Sequence, residues 1–153
     1  VLPFFYTAQN FLSSQECGCL IELFENNRNK HKIWRNTIIL KINDCTLFEL
    51  ISKEIQEKFL IEPNYFEIVK WPVGSYMTYH VDGKINKSNN FASITYLNTD
   101  YQGGETVVEN IKVIPEIGKT ICFEGSKYKH KVNKVENNSR YTLAVWYKII
   151  SQK

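Results

Sequence analysis

Tyr76-Met77-Thr78-Tyr79-His80-Val81-Asp82-Gly83 carries a histidine and an aspartate two positions apart. On a β-strand, side chains at i and i+2 leave the same face. An imidazole and a carboxylate side by side supply two of the three ligands of a 2-His-1-carboxylate triad, which leaves open positions on a non-haem Fe(II). A surface His-x-Asp pair arising by chance is the plain alternative. A third ligand and an anchor for an anionic cosubstrate would decide between them.

Two residues downstream stand in the right order. His130 follows Asp82 after 48 residues, enough chain for several strands to return to one pocket. Arg140 comes ten residues later and opens Arg140-Tyr141-Thr142-Leu143-Ala144-Val145-Trp146-Tyr147. Read as a strand, this run puts Arg140, Thr142, Ala144 and Trp146 on one face. A guanidinium buried on such a wall needs an anionic partner, and a dicarboxylate supplies one through a bidentate pair. Each residue taken singly has a second reading. His130 lies in the basic stretch Lys127-Tyr128-Lys129-His130-Lys131, where a solvated histidine is common. Arg140 could pair with a core carboxylate or cap the turn after Asn137-Asn138-Ser139. The joint order of His-x-Asp, His and Arg is what favours the metal reading.

Further landmarks surround these four. Asn10-Phe11-Leu12-Ser13-Ser14-Gln15-Glu16-Cys17 opens the chain's first helical pattern, and Trp71-Pro72-Val73-Gly74-Ser75-Tyr76 leads into the His-x-Asp. Ser93-Ile94-Thr95-Tyr96-Leu97-Asn98, Gly103-Gly104-Glu105-Thr106 and Gly118-Lys119-Thr120-Ile121-Cys122-Phe123 follow. With these pieces in place, the chain resembles the 2-oxoglutarate- and Fe(II)-dependent oxygenases of the prolyl 4-hydroxylase type, including the hypoxia-sensing prolyl hydroxylases. The resemblance runs along nearly the whole chain. Gly-Gly-Glu-Thr and Arg-Tyr-x-x-x-Val-Trp-Tyr are its most specific motifs.

The resemblance implies Fe(II) on His80, Asp82 and His130, with 2-oxoglutarate as cosubstrate, O2, and ascorbate as a candidate reductant. It gives Arg140 the distal carboxylate of 2-oxoglutarate. Tyr96 aligns with a tyrosine that hydrogen-bonds the same carboxylate in the hypoxia-sensing relatives. Trp71 and Thr142 are the remaining candidates for contact with the cosubstrate. The implied reaction is oxidative decarboxylation of 2-oxoglutarate coupled to hydroxylation, with a prolyl residue in a peptide or protein as the favoured substrate. Asp82 points to hydroxylation, because halogenating relatives vacate that position for chloride. Departures from the pattern concern the substrate. Trp71 stands where many prolyl hydroxylases have tyrosine, and Arg140 replaces the lysine of collagen-type enzymes. Val107-Val108-Glu109-Asn110 replaces the usual apolar-Pro continuation. Trp146 reads equally well as a substrate contact and as a core residue.

Composition sets outer bounds. A chain of 153 residues with 43% hydrophobic content suits a single domain spanning 1–153. The net charge of +3 shows no basic groove of the kind nucleic-acid dealkylation needs. No apolar run reaches the roughly 18 residues of a membrane span, and Val1-Leu2-Pro3-Phe4-Phe5 is apolar but short and lacks the basic n-region of a signal peptide. The expectation is a cytoplasmic protein with no nucleic-acid or membrane partner. Cys17, Cys19, Cys45 and Cys122 form no zinc spacing and read as free, mostly buried thiols.

Periodicity supplies the architecture. Ser13 with Glu16 forms a capping-box pattern ahead of Cys17, Leu20, Ile21 and Phe24, which predicts a helix fraying within Asn26 to Asn29. Ile38 to Ile42 reads as a strand. Asp44 can cap a second helix carrying Leu47, Leu50, Ile51, Glu54, Ile55 and Phe59 on one face, with Pro63 as its end. Tyr65 to Trp71, Phe91 to Leu97, Lys119 to Phe123 and Tyr141 to Ile150 read as strands separated by Gly, Asn and Pro signals. The fold expected is α+β, a double-stranded β-helix of jelly-roll-like, cupin type with N-terminal bracing helices. Gly83 to Asn90 is read as a loop, either a lid over the substrate or a plain solvated connection.

Alternatives of other kinds remain on the sequence. The same iron core could hydroxylate another residue or a small molecule. A catalytically silent, metal-holding binding module has no chemical need to keep the triad and Arg140 together. A zinc hydrolase would not need Arg140, and no glutamate adjoins either ligand as a general base.

Overall fold

The computed structural model describes residues 5–43, 53, 55–84 and 90–150. Its first helix, α1 (Ser14–Glu25), starts where the capping box predicts: Ser13 Oγ accepts from the Glu16 amide at 3.1 Å and Glu16 Oε1 accepts from the Ser13 amide at 3.0 Å. Cys17, Leu20 and Phe24 form its buried stripe. The helix ends at Asn26, and the chain tightens into a 3-10 turn at Arg28–Lys30 rather than fraying.

Thirteen strands are described: β1 Phe5–Ala8, β2 Lys32–Trp34, β3 Thr37–Ile42, β4 Ile61–Trp71, β5 Met77–His80, β6 Asn90–Tyr96, β7 Gln102–Gly103, β8 Thr106–Val108, β9 Ile111–Val113, β10 Thr120–Phe123, β11 His130–Val132, β12 Val135–Glu136 and β13 Arg140–Ile149. They form a seven-stranded sheet in the order β1-β10-β6-β13-β4-β3-β2 and a four-stranded sheet β5-β11-β8-β9, with a small β12-β7 ladder between loops. Every pairing is antiparallel, as the double-stranded β-helix reading expects.

The large sheet is buried on both faces. On one side, α1 and the helical residues 55–59 cover a core that includes Leu20, Phe24, Ile55, Ile68, Leu143 and Tyr147. On the other, residues such as Val69, Trp71 and Ala144 pack with Met77, Val132 and Val135 of the small sheet and its flanking ladder. Double-sided cover explains why β13 is buried almost continuously instead of alternating apolar and polar.

The helix before β4 ends differently from the expectation. Residues 55–59 are helical, and Leu60 at φ +52° turns the chain, its amide donating to Gln56 O at 2.8 Å. Pro63 therefore stops nothing. It lies inside β4 opposite Tyr147, next to the register shift at Trp146/Tyr147 that accommodates a residue without an N–H. The expected start of this helix at Asp44, with Cys45, Leu47, Leu50, Ile51 and Glu54, lies outside the described residues, as does most of the loop between Gly83 and Asn90. Cys17 and Cys122 are buried free thiols, whereas Cys19 is exposed.

Candidate metal centre and cosubstrate pocket

β5 and β11 pair so that His80 faces His130 across the ladder, with ring centroids 4.3 Å apart. β5 ends at His80, so Asp82 lies just past the strand rather than on it. Its backbone is held instead by Gly125, whose carbonyl accepts from the Asp82 amide at 2.8 Å. Asp82 Oδ1 comes to 3.3 Å from His130 Nε2 and 3.8 Å from His80 Nε2. One donor atom from each of the three residues falls within 4.8 Å of the others.

The imidazoles are set for ligation. Each Nδ1 meets a backbone carbonyl two residues back: Thr78 O at 2.8 Å for His80 and Tyr128 O at 2.9 Å for His130. A carbonyl only accepts, so each Nδ1 carries a proton and each Nε2 is the ring atom turned toward Asp82. Burial, with the nearby charges of His130 and Arg35, holds His80 below the usual imidazole range and favours the neutral form that binds metal. Two imidazoles and a carboxylate match the donor set of a non-haem iron site. His130 is buried, so its basic flanks do not make it a surface residue.

Arg140 is 1% exposed. It sits opposite Trp71 in the β13–β4 register, and its guanidinium carbon lies 5.0 Å from the Trp71 ring and 5.4 Å from the Tyr96 ring. One amino group donates to Thr106 Oγ1 at 2.9 Å, and Tyr96 Oη donates to the same oxygen at 2.8 Å. Arg140 Nε has no partner, and among the described residues no carboxylate lies within salt-bridge distance of the guanidinium. A buried cation lacking a counter-ion is costly unless an anion arrives from outside, which suits the distal carboxylate of a dicarboxylate. The Gly103-Gly104 pair lets the chain approach this spot. Both glycines have positive φ, and a Cβ on Gly104 would lie 3.2 Å from Arg140 Cδ.

A cavity of about 110 Å³ reaches both groups: His80, Asp82, His130, Arg140, Trp71 and Thr142 all line it. Tyr96 does not; it is fully buried behind Arg140 and reaches the guanidinium through Thr106. Trp146 stands at the cavity wall with its ring stacked on Tyr65 at 4.7 Å. Reading by residue type passed over Thr106 and Gly125. Thr106 stands in the quoted Gly-Gly-Glu-Thr, yet its partner is 34 positions away and only the fold joins them. Nothing in the sequence around Gly125 signals its place beside Asp82.

Among solved structures, the chain is similar to the viral collagen prolyl hydroxylase from Paramecium bursaria Chlorella virus-1, in its 2-oxoglutarate complex. The TM-score is 0.79 at 17% identity, over 97% of both chains. A Pseudomonas putida prolyl-4-hydroxylase gives 0.76 at 16% identity, over 96% of this chain and 93% of that one. A Trichoplax adhaerens prolyl hydroxylase in complex with a hypoxia inducible factor oxygen degradation domain peptide fragment gives 0.76 at 18% identity, over 94% and 82%. At these identities the likeness is one of fold. Comparison with curated protein sequences gives no match. The profile of the 2OG-Fe(II) oxygenase superfamily matches residues 66–148, more than half of the sequence. The chain therefore belongs to the 2OG-Fe(II) oxygenase superfamily, whose chemistry uses Fe(II) and 2-oxoglutarate.

Proposed function

We propose that the chain is a dioxygenase that hydroxylates a prolyl residue in a peptide or protein, with His80, Asp82 and His130 holding Fe(II) and Arg140 holding 2-oxoglutarate. The observation that carries the reading is the shared cavity: the three ligand-type side chains and a buried arginine without a counter-ion open onto the same space. When bound there, Fe(II) with 2-oxoglutarate and O2 supplies C–H oxidation coupled to release of succinate and CO2, with ascorbate as a candidate reductant.

The chain's own residues set up that chemistry. Thr78 O and Tyr128 O fix the imidazole tautomers, and Gly125 O fixes the Asp82 backbone. Asp82 offsets part of the metal's charge. Arg140 pairs with the distal carboxylate of 2-oxoglutarate, oriented by Thr106 and packed between Trp71 and Tyr96. Trp71 and Thr142 line the space beside it. The peptide complex of the Trichoplax hydroxylase and the collagen hydroxylase fold support a peptide substrate.

The test is incubation with Fe(II), 2-oxoglutarate, ascorbate and proline-containing peptides in air, followed by mass spectrometry. The wild type is expected to add one oxygen to a proline and Asp82→Ala to add none. Turnover of 2-oxoglutarate with no oxygen on any proline would move the substrate to another residue or a small molecule.

A further inference from the structure

The cavity wall made by β4 and β13 is a ladder of paired residues. Arg140 faces Trp71, Thr142 faces Val69, Ala144 faces Glu67 and Trp146 faces Tyr65. The first rung holds the cation assigned above to 2-oxoglutarate. The third holds a charge of the opposite sign. Glu67 and Asp82 are the carboxylates that line the cavity, and Asp82 is engaged by two imidazoles.

Glu67 is half-buried and, among the described residues, makes no hydrogen bond and no ion pair. Lys41 is its register partner on β3, but the Lys41 ammonium lies over the Tyr65 ring at 6.0 Å and acts on Glu67 only through space. Burial outweighs that help and lifts the Glu67 carboxyl above its ordinary range. A carboxylate kept in an apolar wall without a partner costs stability, and this one lines the cavity that also holds His80, Asp82 and His130.

Among the aromatic neighbours of this wall, the Trp34 ring already carries the Arg35 guanidinium at 4.7 Å and the Tyr65 ring the Lys41 ammonium, which leaves Trp146, stacked on Tyr65 and lining the cavity, as the ring a bound cation could meet. The Tyr65 phenol, pushed up to about 12 chiefly by burial, also feels the charges of Glu67 and Asp82 together. Glu67 lines the same cavity as His80, Asp82 and His130.

We propose that the cavity selects a substrate bearing an ammonium or guanidinium next to the carbon that is oxidised, and that Glu67 holds this cation beside the Trp146 ring. This rests on the oxygenase reading above. A lysine or arginine in a peptide and a free basic amino acid would present the same chemistry.

The test is binding to the anaerobic Fe(II)–2-oxoglutarate protein of three peptide pools, each with a central proline flanked by lysine and arginine, by alanine, or by glutamate. Free arginine and free lysine form a separate arm. Basic peptides should bind about tenfold tighter than alanine peptides, and acidic peptides weakest. The preference should vanish in Glu67→Gln and reverse in Glu67→Lys. Glu67-dependent binding of the free amino acids without the peptides would assign the cation to a small molecule. Equal binding of the three pools together with no Glu67-dependent binding of either free amino acid overturns the proposal. So does an absence of binding in every arm, or a basic preference that survives in Glu67→Gln. Glu67→Gln removes a half-buried unpaired charge and should melt no lower than the wild type, which separates lost recognition from lost folding. The metal-to-cosubstrate absorbance band is read on the same samples. A band without charge preference defeats this inference alone; a missing band defeats the oxygenase reading beneath it.

Discussion

A methyl group at position 125 would lie 2.3 Å from Asp82 Oδ2 and 3.1 Å from its carboxyl carbon, so the space that Gly125 leaves is where the carboxylate sits. Gly125 has no positive φ, and alanine there meets no backbone obstacle. Gly125→Ala should fold, rotate the Asp82 carboxylate and weaken Fe(II) binding by about 10- to 100-fold, the range typical of disturbed ligand support. Anaerobic metal titration measures this, and an unchanged affinity would argue that Asp82 is not a ligand. At Arg140 the prediction concerns the cosubstrate. Arg140→Ala should raise the 2-oxoglutarate dissociation constant by about 30-fold or more, since truncating one side of a buried charge pair costs about 2–5 kcal/mol. Arg140→Lys should recover only part of this, because a point charge cannot form the bidentate pair. Equal affinity in all three proteins would place the distal carboxylate elsewhere.

Between elements, Glu25 at the end of α1 ties the helix to the large sheet. It accepts from Lys70 Nζ of β4 at 3.1 Å and from the Tyr141 hydroxyl of β13. The Tyr141 hydrogen bond, followed by Lys70, holds the Glu25 carboxyl below its ordinary range. A carboxylate whose folded pKa is depressed contributes stability above its unfolded pKa and loses it as pH falls through the folded value. Glu25→Gln should therefore cost about 1–2 kcal/mol at neutral pH and nothing at a pH where both forms are neutral. Urea unfolding at the two pH values measures it; an equal loss at both would mean that packing, not charge, makes the tether. At this same scale the sequence was unevenly legible. The α1 start was readable because its capping box is local, and β13 because a long apolar run opens on Arg140. The strands β8, β9 and β11 each have only three residues, and they exist because partners from distant parts of the chain pair with them. Pro63 misled because proline ends helices more often than it enters strands, whereas here Leu60 had already turned the chain.

Across the whole molecule, two sheets close over one cavity and bring together residues as far apart in the sequence as Trp34 and Trp146. The order of His80, Asp82, His130 and Arg140 along the chain pointed to the site, but the fold supplies what order could not. It puts Tyr96 behind the guanidinium, Thr106 between the two, and Glu67 on the wall above them. Among the described residues no helix is long and apolar enough to cross a membrane. The most direct measurement is visible absorbance under anaerobic conditions as Fe(II) and then 2-oxoglutarate are added. The wild type should develop a metal-to-cosubstrate charge-transfer band that is lost in His80→Ala and needs far more 2-oxoglutarate in Arg140→Ala. A folded, iron-loaded wild type that develops no band would contradict the assignment of these residues to Fe(II) and 2-oxoglutarate.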